Sequence, residues 1–121
     1  MGIKLEGMSD LLRNLEQAGN RGQEVAEKAL NEGAKILQAK MKQMAPRSAG
    51  AGKHLAENII ISAIKDGTIE VGPQKDYFYG FFLEFGTSKM SAQPFAQPAF
   101  EASKGQIERK MAEVIRDELR L

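Results

Sequence analysis

Apolar residues in the first half of the chain recur every three or four positions, which is the period of an amphipathic helix. The residues that repeat in this way are Val25, Ala29, Ile36, Leu37, Met41 and Met44. We expect Asn20 to be the N-cap, with Gln23 at the third helical position as in a capping box. Pro46 disfavours helical backbone at the residue before it, so the helix should end at about Met44. A shorter helix, capped by Ser9, is predicted ahead of it, with an apolar face made of Leu11, Leu12, Leu15 and Ala18.

The middle of the chain has the alternation and the β-branched residues of a β-hairpin. We expect strands at Asn58–Ile64 and Thr68–Gly72, joined by Asp66-Gly67, a pair that suits a type I′ turn. Ile59–Ile61 is apolar on both faces, so one face can meet the helices while Ile60 meets a neighbouring subunit. A two-stranded hairpin is only marginally stable, and it needs a third strand, a helical cover or another subunit.

Every aromatic residue of the chain lies between Tyr77 and Glu101. Within this segment, Asp76–Phe85 suits a short helix that ends at Gly86, although the aromatic content also suits a strand. The rings belong either to the core or to a subunit contact, and composition leaves both open.

A last helix begins near Pro98, whose missing N–H costs nothing in a first helical turn. Its apolar stripe consists of Phe100, Ile107, Met111, Val114, Ile115 and Leu119. The predicted fold class is therefore α+β: a small antiparallel sheet packed with two N-terminal helices and a long C-terminal helix. We expect one domain over residues 1–121, with a mobile loop at 45–56.

Composition narrows the function. The net charge of +1 lacks the basic surplus of a dedicated duplex-DNA binder. The absence of cysteine excludes disulfides and thiolate chemistry. No apolar run reaches the roughly 18 residues of a membrane span, and the first residues lack a signal-peptide core. We therefore expect no membrane association, and a protein that is cytoplasmic where it is made.

The polar residues offer little chemistry. His54 lies in the predicted loop without rigid support, and Glu84 has no visible partner acid or base, so we expect no enzyme, no cofactor and no metal site. Arg47, Lys53 and His54 make the loop locally basic. They are either solvated or in contact with a phosphate backbone or an acidic protein patch, and the alternative function is thus a small DNA-binding module.

Three sequence patterns occur in order along the chain. A helix ends in Ala45-Pro46 before a Gly-containing loop, and a strand pair ends in Val71-Gly72. The third pattern is the most specific, and it consists of Leu83, Glu84, Phe85, Gly86 and Thr87, followed by Pro94, Phe95, Pro98 and Ala99, with Phe100 next. In these features the chain resembles the head–tail joining proteins of long-tailed bacteriophages, also called neck or tail-completion proteins.

The resemblance implies a structural virion protein that forms a ring, close to sixfold, at the neck between head and tail. Its implied partners are further copies of itself, a head-closure or connector protein, and a tail terminator or tail-tube protein. Genome DNA would pass through the channel without sequence-specific binding. The residues expected at these interfaces are Arg47, Lys53, His54, Ile60, Phe81, Glu84, Thr87 and Lys89.

Overall fold

The computed structural model of the chain describes residues 3–5, 18–45, 56–65, 67–74 and 94–120. Their elements, in chain order, are β1 (Ile3–Leu5), α1 (Asn20–Met44), β2 (Ile59–Ile61), β3 (Ile69–Pro73) and α2 (Ala96–Leu119). The predictions for the helix after Ser9, for most of the 45–56 loop and for Asp76–Phe85 lie outside the described residues. Of the predicted first helix only Ala18 is described, and it is exposed in a turn.

Helix α1 covers the predicted range, but its start differs from the prediction. Gly19 is the N-cap, with φ 108°, and Asn20 is the first helical residue. Glycine adopts such a positive φ more readily than other residues, so the chain turns into the helix at Gly19 and Asn20 is already helical. The prediction of a capping box with Asn20 as the N-cap is therefore wrong. The Gln23 N–H donates to the Gly19 carbonyl at 3.0 Å, while the Gln23 side chain donates to Glu27 at 3.4 Å. The predicted end is confirmed, because Ala45 is extended at φ −60° and ψ 134°.

Helix α2 packs antiparallel on α1 through small residues. A methyl group added at Gly33 would lie 3.1 Å from Ile107 Cγ2 and 3.2 Å from Met111 Cγ. Gly33 therefore lies at a close contact between the two helices, and a larger residue there must displace its neighbours. Ser103 is buried on the same face of α2, and its hydroxyl donates to the Ala99 carbonyl at 2.7 Å.

Within the described residues the sheet has three strands rather than the two that the sequence predicted. Its order is β1-β3-β2 and both pairings are antiparallel. Strand β1 pairs Ile3 with Val71 and Leu5 with Ile69. The third strand that the hairpin needed thus comes from the N-terminal segment, where an alternation over only three residues is too short to predict a strand.

The predicted hairpin is present, but β2 is shorter than Asn58–Ile64. Lys65 and Thr68 exchange backbone hydrogen bonds of 2.9 and 3.0 Å across the predicted turn, and Gly67 has φ 71°. Ile61 pairs with Val71, so three residues separate Ile61 from Lys65 but only two separate Thr68 from Val71. This extra residue is a β-bulge, which interrupts the strand before Lys65.

The core lies between the two helices and one face of the sheet, which confirms the α+β class. Ile59, Ile69 and Val71 are fully buried on this face. The predicted stripe of α2 is confirmed by the buried residues Ile107, Met111, Val114 and Ile115, with Phe100 and Leu119 partly buried against the core. On α1, Val25, Ala29, Leu37 and Met41 are buried, whereas Met44 is exposed because the helix ends there.

Candidate functional site

The face of the sheet that points away from the helices carries the most exposed large apolar residue among those described. Ile60 is 45% exposed and lies opposite Gly72, which offers no side chain to cover it. Ile60, Ser62, Glu70, Gly72 and Pro73 line a shallow cavity of about 60 Å³ beside this position. A small apolar site with a polar rim suits a contact with another protein better than a small-molecule pocket.

A side-chain hydroxyl takes part in the hydrogen-bond ladder at the rim of this face. The Ser62 N–H donates to the Glu70 carbonyl, and the Glu70 N–H donates to the Ser62 hydroxyl, both at 2.9 Å. The Ser62 hydroxyl therefore replaces the backbone carbonyl where the bulge begins. Lys4 lies opposite Glu70 on the other side of β3, which places opposite charges across two neighbouring strands.

Strand β2 is tied to α1 by one polar contact. The Gln38 Nε2 donates to the Ile59 carbonyl at 2.8 Å, and this contact is partly buried. The neighbouring Asn58 carbonyl accepts from Gln74, and alternate residues of a strand point in opposite directions, so the Ile59 carbonyl points away from β3 and needs a partner other than the ladder. Gln38 therefore fixes one end of β2 against the helix.

A second concave surface follows α1 and has a cavity volume of about 380 Å³. The residues that line it are Glu32, Lys35, Ile36, Ala39, Lys40, Gln43 and Gln106. Glu32 accepts from Lys35 at 3.4 Å. The groove is open and polar, and it lacks a pair of groups arranged for proton transfer.

One ion cluster joins the start of α1 to the end of α2. Glu118 accepts from Lys28 and from Arg21, and its carboxylate lies 2.9 Å from the Arg21 Nη2. The same Arg21 nitrogen donates to the Glu118 backbone carbonyl at 3.0 Å, which satisfies one carbonyl at the end of α2. The hydrogen bonds from Lys28 and then Arg21 hold the pKa of Glu118 below its ordinary value. Two cations of α1 around one carboxylate of α2 that is 22% exposed indicate a structural role, in which the cluster holds the start of α1 to the end of α2.

The described residues contain no group of three or more histidine, cysteine, aspartate or glutamate side chains that could hold a metal ion. No helix in the described ranges is both long and apolar enough to cross a membrane. His54 and Glu84, the two catalytic candidates that the sequence raised and disfavoured, lie outside those ranges.

The predicted interface and motif residues are only partly described. Among the interface residues Ile60 is described and exposed, while the others lie outside the described residues: Arg47, Lys53, His54, Phe81, Glu84, Thr87 and Lys89. The motif residues Leu83, Glu84, Phe85, Gly86 and Thr87 also lie outside them. Phe95 is fully buried as the N-cap of α2, Pro98 is in the first turn, and Phe100 is half-buried.

Two features of the fold were not predicted from the sequence. Among the described strands, β1 lies on the other side of β3 from β2, and its sequence signal is the alternation of Ile3-Lys4-Leu5. Gly33 brings the two helices together, and the signal for it was a glycine in the interior of a strongly periodic helix.

Comparison with known protein families gives a match for the larger part of the chain. A family model described as "Bacteriophage HK97-gp10, putative tail-component" matches residues 9–86. This range includes α1, β2, β3 and the Leu83–Gly86 part of the third sequence pattern. No curated protein and no solved structure matches the chain.

Proposed function

The chain belongs to the HK97-gp10-like family of bacteriophage tail components, and from that membership we propose that it is a neck subunit that joins the phage head to the tail. Membership makes it a phage structural protein rather than an enzyme. The family match over residues 9–86 is the observation that carries the proposal, because it includes more than half of the chain and most of its core elements.

In this proposal the subunits form a ring around the channel through which the genome passes. One side of the ring meets a head-closure or connector protein, and the other meets a tail terminator or tail-tube protein. One observation from the structure supports a role in assembly: Ile60 is exposed on the face of the sheet that points away from the helices. The protein is then a component of the mature virion.

A complementation assay tests this proposal. In a phage that carries this gene, deletion of the gene should yield separate heads and tails, and supplying the protein in trans should restore joined particles. Electron microscopy of the two lysates measures the fraction of joined particles. Normal joining without the gene would overturn the neck role.

The alternative, a small DNA-binding module that uses the 45–56 loop, predicts a different result. Such a module binds duplex DNA as a purified protein, and its affinity falls steeply as salt rises. A neck subunit should bind DNA weakly in the same titration. Tight, salt-dependent binding together with normal particle joining in the deletion phage would favour the alternative.

A further inference from the structure

The face of α2 that points away from the core carries small residues and arginines. These residues follow one another at steps of three or four positions, so they lie in one stripe along the helix. They are Ala102, Gly105, Arg109, Ala112 and Arg116, of which Ala112 is half-buried and the others are exposed. We call this set the arginine stripe.

Neither arginine of the arginine stripe is neutralised by a neighbour within the part of the chain that the structure describes. Arg109 and Arg116 form no ion pair with another described residue. The acidic residues beside the stripe are Glu101 and Glu108 on one side and Glu113 and Asp117 on the other. A phosphate backbone laid on this face would be repelled by these carboxylates, so a protein surface with both signs of charge suits the stripe better than duplex DNA does.

Gly105 has no structural reason within a single chain, although glycine is among the least favourable residues in a helix interior. Gly33 of α1 is explained by Ile107 and Met111, which pack where its side chain would lie. At Gly105 an added methyl group would meet only the end of the Arg109 side chain, at 3.3 Å. An exposed glycine of this kind suits a position where a large side chain from another chain lies against the helix backbone.

The arginine stripe complements itself when two copies of α2 pack antiparallel. In an antiparallel pair, a step forward along one helix is a step back along the other. If Gly105 of one copy lies opposite Arg116 of the other, then Arg109 lies opposite Ala112. Each arginine therefore faces a small residue, as the interdigitation of packed helices requires. Because such a pair has a two-fold axis, both of these contacts occur twice.

Opposite charges also meet in this register. Arg116 of one copy lies over Gly105 of the other, and Glu108 is three positions further along that second helix, beside the stripe. The Glu108 carboxylate has no hydrogen bond or ion pair with another described residue. Glu101, one turn before Gly105, is less available because Gln97 already donates to it at 2.9 Å. An Arg116–Glu108 pair between copies therefore joins two charged groups that a single chain leaves to water.

We infer that two copies of this chain associate through an antiparallel, two-fold contact between their α2 helices, in which Arg116 of each copy lies over Gly105 of the other. The contact is isologous, because both copies contribute the same surface. It therefore joins copies in pairs, and it differs from the heterologous contact that closes a ring. The inference concerns the free protein and does not depend on the neck role.

An exchange of charges between copies tests the contact. In a pair of Arg116→Glu chains carboxylates face each other, and in a pair of Glu108→Arg chains guanidinium groups do. Each variant alone should therefore self-associate about tenfold more weakly than the wild type in sedimentation equilibrium. An equal mixture of the two should pair about as tightly as the wild type, because every arginine again meets a carboxylate. A wild-type protein that stays monomeric at millimolar concentration, or a mixture that pairs no better than the single variants, would overturn the inference.

A disulfide between copies tests the register, since the natural chain has no cysteine. Arg109→Cys and Ala112→Cys are made as separate chains, which leaves Gly105, Glu108 and Arg116 intact. In the inferred register each cysteine lies opposite the cysteine of the other variant and is offset by three residues from its own counterpart. Mild oxidation of the mixture should therefore give mainly the covalent heterodimer, which mass spectrometry identifies. Equal cross-linking in the mixture and in each variant alone would overturn the inference.

Gly105→Leu gives an independent readout, because its side chain fills the space that Arg116 of the other copy takes up. Leucine favours a helix over glycine, so the dilute single chain should melt at a higher temperature than the wild type. Self-association of the same variant should weaken about tenfold. Unchanged self-association of Gly105→Leu would overturn the inference. Tight, salt-dependent binding of duplex DNA that Arg116→Glu abolishes would assign the arginine stripe to nucleic acid and would overturn it as well.

Discussion

Gly33 and Gly105 are two helix-interior glycines whose replacement by alanine should have opposite effects on stability. Alanine is favoured over glycine in a helix by about 1 kcal/mol. At the exposed Gly105, an added methyl group meets only the Arg109 Nη1, at 3.3 Å, and the end of that side chain can move. Gly105→Ala should therefore raise the free energy of unfolding by about 0.5–1 kcal/mol.

At Gly33 the same methyl group enters the contact between α1 and α2. It would lie 3.1 Å from Ile107 Cγ2 and 3.2 Å from both Cγ and Sδ of Met111, and both of these residues are buried. Overpacking of a core costs about 1–3 kcal/mol, against a gain of about 1 kcal/mol in helix propensity. We expect Gly33→Ala to lower the free energy of unfolding by about 0–2 kcal/mol.

The informative quantity is the difference in the free energy of unfolding between the two variants, which should be about 0.5–3 kcal/mol. Urea unfolding followed by circular dichroism measures it, because equal m-values for the two variants show that the unfolded state is unchanged. In a thermal melt the same difference separates the two midpoints by roughly 4 °C per kcal/mol. If Gly33→Ala stabilised the protein as much as Gly105→Ala, the close approach of the helices at Gly33 would be wrong.

Two further predictions concern the core and the ion cluster. Phe95 is fully buried, so Phe95→Ala should cost about 3–5 kcal/mol, while the half-buried Phe100 should cost clearly less; a loss under about 1 kcal/mol for Phe95→Ala in urea unfolding would place its ring at the surface. The pKa of Glu118 lies below its ordinary value of 4.5, so its contribution is present above that value and is lost as the pH falls through the folded-state pKa. The melting temperature of the wild type should exceed that of Glu118→Gln at pH 7, the gap should close in acid, and a gap that is constant from pH 7 to about pH 3 would contradict the role of the carboxylate.

The long elements were predictable because their signals repeat over many residues. The range of α1 followed from its apolar period and from Pro46, and the stripe of α2 followed from residues such as Ile107 and Ile115. The turn before Thr68 was predictable from Asp66-Gly67, since few sequences suit it so well.

The predictions failed where two neighbouring residues could each end or begin an element, and where contacts distant in sequence determine the strands. At the start of α1, the positive φ of Gly19 made that residue the N-cap, although the Asn20 side chain is a common capping group. In β2, the Ser62 hydroxyl bonded to the neighbouring strand and a bulge shortened the element. Strand β1 gains its stability from Ile69 and Val71, more than sixty residues away, and such pairings leave no local pattern.

At the candidate site, too, some features were predictable from the sequence and others were not. Exposure of Ile60 was predictable, because side chains alternate along a strand, so a run of three apolar residues places the middle one on the opposite face from its neighbours. The position of Lys4 opposite Glu70 was not predictable, because it depends on which strand lies beside β3. The resemblance to phage tail proteins was predictable from the three sequence patterns, and the family match over residues 9–86 confirms it.

The antiparallel contact between α1 and α2 has a consequence for how the protein is made. The chain must be synthesised almost to its end before the first long helix finds its partner, since Arg21 and Glu118 are 97 positions apart. Until then only the sheet is available to cover the apolar face of α1, and contacts this distant in sequence make folding slow. A chain that stops before Phe95 therefore lacks α2 and leaves the part of the apolar face of α1 that packs on α2 uncovered.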